Sequence, residues 1–147
     1  GRKRLMVVGS SSDDLDFMRL IESSGGVVVS DTMCFGSRSY HDLVDEKTDP
    51  VRALAERYLS HKFCPRMFGY YRERLAFIEE RARRARVDGI ILQNIRFCDL
   101  HGSENGIYER DLEARGIPCM RMEREYGPLV ETGRIRMRID AFMERIA

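Results

Sequence analysis

The sequence contains no apolar run that approaches the roughly 20 residues needed to cross a bilayer. Its first four residues, Gly-Arg-Lys-Arg, lead directly into an apolar strand pattern and not into the hydrophobic core of a signal peptide. From these two absences we expect a cytoplasmic protein that has no membrane partner.

An excess of charge of one sign is also missing. Lys plus Arg number 25 and Asp plus Glu number 24, which gives a net charge of +1. The basic run from Arg81 to Arg86 shares its predicted helix with Glu73, Glu79 and Glu80, and arginine near a helix C-terminus suits the helix dipole. The run therefore predicts a solvated helix face, and the balance of charge predicts no nucleic-acid partner.

Closely paired cysteines are absent as well. Cys34, Cys64, Cys98 and Cys119 are widely spaced, which argues against a disulfide framework and favours reduced thiols. Closed zinc sites normally contain a C-x2-C pair, and the sequence has none. His101 follows Cys98 by three residues, but a single pair of this kind is weak evidence for a metal. We expect Cys119, inside a predicted strand, to be a core residue.

The length and composition are those of one α/β domain that spans residues 1–147. Hydrophobic residues make up 43% of the chain and charged residues 33%, so the chain is large enough to bury a core. It has no initiator methionine, and its first predicted strand begins within a few residues of the start. These features predict a piece of a longer protein.

Short apolar runs alternate with amphipathic helical patterns, which is typical of βαβ units. The predicted strands are Leu5–Gly9, Val27–Val29, Asp88–Gln93 and Ile117–Met122. Helices are predicted after the 10–12 loop, from Pro50 to about Ser60, from Tyr71 to Ala85, from about Gly106 to Arg115, and along the stripe Ile135, Ile139, Phe142 and Ile146. Residues 30–49 show no sustained period and predict a long functional or mobile connection, and residues 61–69 are predicted to be irregular.

These elements predict an α/β fold of the flavodoxin/Rossmann-like kind. The sheet has four strands, is mostly parallel, and has helices on both faces. Its predicted order is 2-1-3-4, because crossovers are right-handed and the first connection winds opposite to the later ones. Ligands of such sheets bind where the carboxyl ends of the strands meet.

Two cysteines follow strands at that edge. Cys98 comes just after the third predicted strand, where a thiol can take part in chemistry, although free cysteine is also commonly a buried packing residue. Cys34 follows the second strand, so we expect it to come near Cys98. For Cys64, in the irregular segment, a ligand role and a packing role are equally open. Ser10 and Ser11 form a loop before a helix that suits either an anion-binding site or an ordinary N-cap.

Several motifs carry a resemblance to a known family. They are Val87–Leu92, Arg96–Leu100, Gly116–Pro118, Glu123–Tyr126 and Arg138–Phe142. With them, the chain resembles the benzoyl-CoA reductase/2-hydroxyacyl-CoA dehydratase family, of the 2-hydroxyglutaryl-CoA dehydratase D-component type, over nearly its whole length. Residues 64–67 and 98–104 look closer to benzoyl-CoA reductase-type subunits. The closing helix departs from the family pattern at Gly133-Arg134 and Met137, which puts the substrate class in doubt.

The resemblance implies an ATP-dependent, radical-forming enzyme that acts on a CoA thioester. Its partners are a second homologous subunit and an ATP-hydrolysing iron–sulfur activator. A 4Fe-4S cluster is held by three cysteines, of which Cys98 matches the third and the other two belong to an upstream domain. The 147 residues are then the C-terminal cluster-bearing domain of a longer subunit. The isolated chain is expected to be inactive, because one thiolate cannot retain a cluster.

The resemblance leaves the reaction open between aromatic ring reduction, which we expect, and elimination of water from a 2-hydroxyacyl-CoA. Two rivals from other classes are a non-redox module that binds an anion at Ser10 and Ser11, and a cluster-bearing subunit that binds no CoA thioester. Some residues flank the two strand ends or lie in the irregular segment, and we expect them to contact the cluster ligands or the substrate: Cys34, Arg38, Cys64, Arg66, Asp99 and Glu104.

Overall fold

The computed structural model describes residues 1–127 and 132–147 as a four-stranded sheet surrounded by helices. The strands are β1 (Lys3–Gly9), β2 (Gly26–Met33), β3 (Gly89–Ile95) and β4 (Cys119–Arg124). The helices are α1 (Leu15–Ser23), α2 (Ser37–Tyr40), α3 (Pro50–Ser60), α4 (Tyr71–Ala85), α5 (Asp99–Glu113) and α6 (Thr132–Arg145). All the strand pairs are parallel and the order is β2-β1-β3-β4, so the predicted fold class and sheet order are confirmed.

The sheet separates two hydrophobic clusters, because side chains alternate between its faces. On one face, Leu5 and Val7 of β1 pack with residues of α1 and α6. On the other face, Met6 and Val8 pack with residues of α4 and α5. Cys119 belongs to the second cluster and is 1% exposed, which confirms its predicted place in the core.

The second strand is longer than predicted. Val27–Val29 marked only its apolar start, whereas β2 continues through three polar residues to Met33. Ser30, Asp31 and Thr32 lie opposite Met6, Val7 and Val8 of β1. Among the described strands, β2 lies at the edge of the sheet and pairs with β1. Backbone hydrogen bonds to β1 therefore extend the strand through its polar residues. The predicted long connection is accordingly shorter, and it contains α2.

The fifth helix begins earlier than predicted. We expected it from about Gly106 to Arg115, but α5 runs from Asp99 to Glu113. Its buried positions are His101, Asn105, Tyr108 and Leu112, and the first two of these are polar. A hydropathy pattern therefore does not detect the start of the buried face of α5. Gly102 and Gly106 also lower the helix propensity of this segment.

The predictions for α3 and α4 are confirmed, and α3 begins as expected with a proline in its first turn. The basic run is a solvated face, because Arg83, Arg84 and Arg86 are exposed. Strand β4 begins two residues later than predicted, after Pro118, whose carbonyl accepts a hydrogen bond from the backbone N–H of Ile90.

In the part of the chain that the structure describes, no helix is both long enough and apolar enough to span a bilayer.

Candidate functional site

The parallel strands all end at one side of the sheet, which we call the carboxyl edge. There Gly9 of β1 lies opposite Met33 of β2 and Gln93 of β3. A Cβ at Gly9 would lie 1.7 Å from the Gln93 carbonyl oxygen, and its φ is +132°, so only glycine allows this approach. The close contact brings the segments that follow β1, β2 and β3 together, as the sheet order requires.

Cys98 occupies the turn between β3 and α5. It is the N-cap residue of α5, its backbone N–H donates to the Ile95 carbonyl at 2.9 Å, and its carbonyl accepts from the Gly102 N–H at 2.8 Å. The Cys98 side chain makes no capping hydrogen bond and is half-buried. The thiol therefore lies at the N-terminus of a helix, at the carboxyl edge of the sheet.

The turn that presents Cys98 is strained. Phe97 has φ +67°, in the left-handed region, although it is not glycine, and its side chain is 90% exposed. Backbone outliers of this kind concentrate at functional sites. Asp99 is the first residue of α5 and is exposed, so its carboxylate lies where the helix dipole favours a negative charge.

Cys34 contacts residues from two elements. Nη2 of Arg38, in α2, donates to its sulfur at 2.8 Å, and Nε2 of His101, in α5, lies 3.4 Å from the same sulfur. Arg38 is 6% exposed and His101 is 2% exposed. The pKa of His101 is lowered to about 4 by burial and by the charges of Arg38 and Arg74, so its imidazole is neutral at pH 7. We call Cys34, Arg38 and His101 the thiol centre.

Cys64 is also paired with an arginine. The Nε of Arg66 donates to the Cys64 sulfur at 3.1 Å. Burial raises the pKa of the Cys64 thiol, but the Arg66 hydrogen bonds and the charges of Arg38 and Arg66 outweigh burial and lower it. The charge of Arg38 thus acts on both sulfurs, so Cys34 and Cys64 share one electropositive environment, whereas the hydrogen bonds give each sulfur its own arginine.

A buried ion pair holds residues 61–69, the irregular segment, against α5. Arg74 of α4 is paired with Glu104, and its Nη1 donates to the Met67 carbonyl at 2.8 Å and the Cys64 carbonyl at 3.4 Å. The Tyr108 hydroxyl donates to Glu104 at 2.6 Å, and burial followed by this carboxylate raises the pKa of Tyr108. Glu104 therefore positions a backbone segment that carries Cys64.

Ser10 and Ser11 have structural contacts. The Ser10 hydroxyl accepts a hydrogen bond from the Ile95 N–H at 3.2 Å, and the Ser11 carbonyl accepts from Arg124 at 3.0 Å. The N-cap of α1 is Asp14, whose carboxylate accepts from the N–H groups of Asp16 and Phe17, so an N-cap within residues 10–12 is wrong. The Ser10 contact holds the loop after β1 against the end of β3, so α1 starts after this loop and not within it.

The described residues fit one ligand position of an iron–sulfur cluster and not a whole ligand set. Within residues 1–127 and 132–147, no group of three or more His, Cys, Asp or Glu side chains is placed to hold a metal ion. Cys34 and Cys64 each accept a hydrogen bond from an arginine, whereas Cys98 makes no capping hydrogen bond. Cys98 can therefore supply one thiolate, and the other ligands must come from elsewhere.

Sequence reasoning missed three residues of this edge. Arg74, Tyr108 and Thr32 were assigned no role, yet all three line a small cavity beside the thiol centre. Arg74 looked like one more basic residue of an exposed helix face. Its only signal is its place one residue before Leu75 in the apolar stripe, which sets it at the boundary between core and solvent.

Comparisons with known proteins agree over the whole chain. The sequence model of "2-hydroxyglutaryl-CoA dehydratase, D-component" matches residues 1–146. The (R)-phenyllactyl-CoA dehydratase beta subunit of Clostridium sporogenes is 28% identical over 144 residues, which cover 98% of this chain and 38% of that protein. The putative dehydratase subunit YjiM of Escherichia coli (strain K12) is 25% identical over 150 residues, covering 99% of this chain and 38% of that protein. The chain therefore spans somewhat more than a third of the length of these relatives.

Proposed function

The chain belongs to the 2-hydroxyglutaryl-CoA dehydratase D-component family, and we propose that it is the cluster-bearing domain of one subunit of an enzyme that removes water from a 2-hydroxyacyl-CoA thioester. The observation that carries the proposal is the turn at Phe97 and Cys98, where a strained backbone presents a thiol at a helix N-terminus on the carboxyl edge. The names of both relatives contain the word dehydratase, which supports elimination of water over ring reduction.

In this proposal Cys98 is one thiolate ligand of a 4Fe-4S cluster. Two further cysteines come from an upstream domain, consistent with the relatives being much longer than the matched region. The backbone N–H of Cys98 donates to the Ile95 carbonyl, so the turn is held by a backbone contact that leaves the thiol out. When bound, the cluster supplies single electrons to the thioester.

The remaining residues of the edge position the site. Arg74 and Glu104 fix the 61–69 segment beside α5, and Arg38 fixes the chain after β2 through Cys34. These contacts fix two segments, residues 61–69 and the chain after β2. The proposed partners are a second homologous subunit, an ATP-hydrolysing iron–sulfur activator and the CoA-thioester substrate.

Aromatic ring reduction, as in benzoyl-CoA reductase, is the second candidate reaction. It rests on residues 64–67 and 98–104, whose sequences resemble the reductase branch. Arg74 joins the two segments, because it contacts the Cys64 and Met67 carbonyls and also Glu104. The two motifs therefore form one structural unit in this chain.

The test compares wild type with Cys98→Ala in the full-length subunit, purified with its partner without oxygen. We expect Cys98→Ala to lose the iron and acid-labile sulfide of one cluster, because one of its thiolates is gone. Cys119→Ala is the matched control, since Cys119 is a buried thiol within β4 and should leave the iron content unchanged. Unchanged iron in Cys98→Ala would show that Cys98 is not a cluster ligand. The family resemblance would then be evidence for the fold alone.

The reaction is decided separately by the products. The wild-type complex, with activator and ATP, is given a 2-hydroxyacyl-CoA and benzoyl-CoA in parallel, and the acyl-CoA products are identified by mass. Loss of the mass of water from the hydroxyacyl-CoA supports the dehydratase. Addition of hydrogen to benzoyl-CoA without dehydration supports the reductase and contradicts the proposed reaction, while the cluster assignment of Cys98 is judged by the iron content alone.

A further inference from the structure

The buried guanidinium of Arg38 has no carboxylate partner within the described ranges. It is 6% exposed, and its hydrogen bond goes to the Cys34 sulfur at 2.8 Å. Burying a positive charge costs several kcal/mol unless an opposite charge or good acceptors compensate. The group placed to compensate Arg38 is the Cys34 sulfur, which accepts the Arg38 hydrogen bond.

His101 reinforces that arrangement from the other side. Its Nε2 lies 3.4 Å from the Cys34 sulfur, and its imidazole is neutral at pH 7. With Nε2 protonated, the ring donates a second hydrogen bond to the sulfur, and Nδ1 is then an acceptor. The sulfur then receives two N–H donors, and the one from Arg38 is cationic and therefore forms the stronger kind of hydrogen bond.

Two polar atoms beside the thiol centre have no hydrogen-bond partner among residues 1–127 and 132–147. They are Nδ1 of His101 and Oγ1 of Thr32, and both residues are 2% exposed. Thr32, Arg38 and His101 together line a cavity of about 10 Å³, the size that holds one water molecule. Buried polar groups are nearly always paired in the interior of a protein, so these two atoms leave the residues of the cavity beside Arg38 and His101 with unused hydrogen-bonding capacity.

We propose that Cys34 is a nucleophilic thiol, and that it is the site at which this chain undergoes thiol–disulfide exchange with small disulfides. The Cys34 thiolate attacks one sulfur of the disulfide, a Cys34 sulfur–sulfur bond forms, and the sulfur–sulfur bond of the reagent breaks. The departing thiolate takes a proton from solvent. No other oxidant enters the step, because the incoming disulfide is itself reduced to one thiol and one mixed disulfide.

The other thiols of the chain provide internal references. Cys119 is buried, and burial together with Glu113 and Glu109 raises its pKa to about 12, so it should hardly react. Cys64 has a lowered pKa but owes it mainly to its own arginine, Arg66. Changing Arg38 and Arg66 separately therefore distinguishes the two arginine-paired thiols within one molecule.

The experiment follows all four thiols by peptide mass mapping in the reduced 147-residue chain at pH 7. Two neutral reagents are used, iodoacetamide and bis(2-hydroxyethyl) disulfide, so that the arginines do not attract the reagent. We expect Cys34 to react at least about tenfold faster than Cys119 and faster than free N-acetylcysteine in the same solution. Arg38→Gln should slow Cys34 about tenfold, and His101→Gln should slow it by a smaller factor.

Arg66→Gln is the matched control, because it removes the equivalent donor from Cys64. It should slow Cys64 and leave the Cys34 rate unchanged. Protection of Cys119 reports an intact fold in every variant. The proposal is overturned if wild-type Cys34 reacts more slowly than N-acetylcysteine, a comparison that needs no variant. It is equally overturned if Arg38→Gln, with Cys119 still protected, leaves the Cys34 rate unchanged.

Discussion

At the scale of single residues, the turn at Phe97 and Cys98 combines a helix N-cap with a strained backbone. Cys98 is the N-cap residue of α5, and the residue before it lies in the left-handed region. Phe97 adopts φ +67° there, which costs a residue with a Cβ about 1–2 kcal/mol. Because its ring is 90% exposed, packing within the chain does not repay that cost.

Phe97→Gly tests this strain directly. Glycine adopts positive φ without the Cβ penalty, so we expect the free energy of unfolding to rise by about 0.5–1 kcal/mol, measured by urea denaturation. Phe68→Gly is the control, because Phe68 is 98% exposed but does not have positive φ. It should lower stability by about the same amount through the greater entropy of the unfolded chain. A loss of stability in both variants would mean that the turn is not strained.

At the scale of elements, α4 and α5 are connected through charged and polar groups that hold the 61–69 segment. The ion pair of Arg74 and Glu104 is buried, with side chains 5% and 15% exposed. Rings support the same junction: Phe63 stacks on Phe77 with centroids 4.1 Å apart, and Tyr71 stacks on Tyr108 at 5.1 Å. An irregular segment thereby acquires a fixed place without secondary structure of its own.

Glu104→Gln should destabilise the chain by about 2–4 kcal/mol, because it leaves the buried Arg74 charge without its counter-ion. The matched control is Glu56→Gln, which removes a glutamate from an exposed pair with Arg52 at 2.8 Å. Exposed pairs of this kind contribute about 0.5 kcal/mol or less. Urea denaturation gives both values, and hydrogen exchange of residues 61–69 should increase only in Glu104→Gln. Equal, small effects in the two variants would contradict a structural role for the buried pair.

At the scale of the whole molecule, the stability of the fold depends on keeping one histidine neutral. His101 is packed beneath the carboxyl edge against the Cys34 sulfur, and the charges of Arg38 and Arg74 act on it in addition to burial. Its pKa falls from 6.5 to about 4. The unfolded chain therefore binds a proton at His101 at pH values where the folded chain does not.

The resulting pH dependence has a definite sign. The contribution of His101 is fully present above pH 6.5 and is lost as the pH falls from 6.5 towards 4. By linkage, the free energy of unfolding should drop by about 2 kcal/mol between pH 7 and pH 5, and by about 3 kcal/mol by pH 4, from this group alone. His101→Gln cannot be protonated, so the difference between the two denaturation series isolates the effect. Parallel pH curves for the two proteins would show that His101 is not buried as described.

The sequence alone determined the alternation of strands and helices, the sheet order, and the place of Cys98 after β3. These follow from local periodicity and from the handedness of crossovers, both of which a single sequence carries. It could not predict the early start of α5 or the polar end of β2, because there backbone pairing and burial of His101 and Asn105 outweigh hydropathy.

Only the tertiary structure decided which groups meet at the carboxyl edge. Cys34 and His101 are 67 positions apart, and Arg74 and Glu104 are 30 apart, yet each pair is in contact. No periodic pattern links such residues, because their distance is set by how the segments that follow different strands pack together at one edge of the sheet. The sequence therefore placed Cys98 at the edge and set an arginine four residues from Cys34 and two residues from Cys64, whereas packing alone buried the histidine against Cys34.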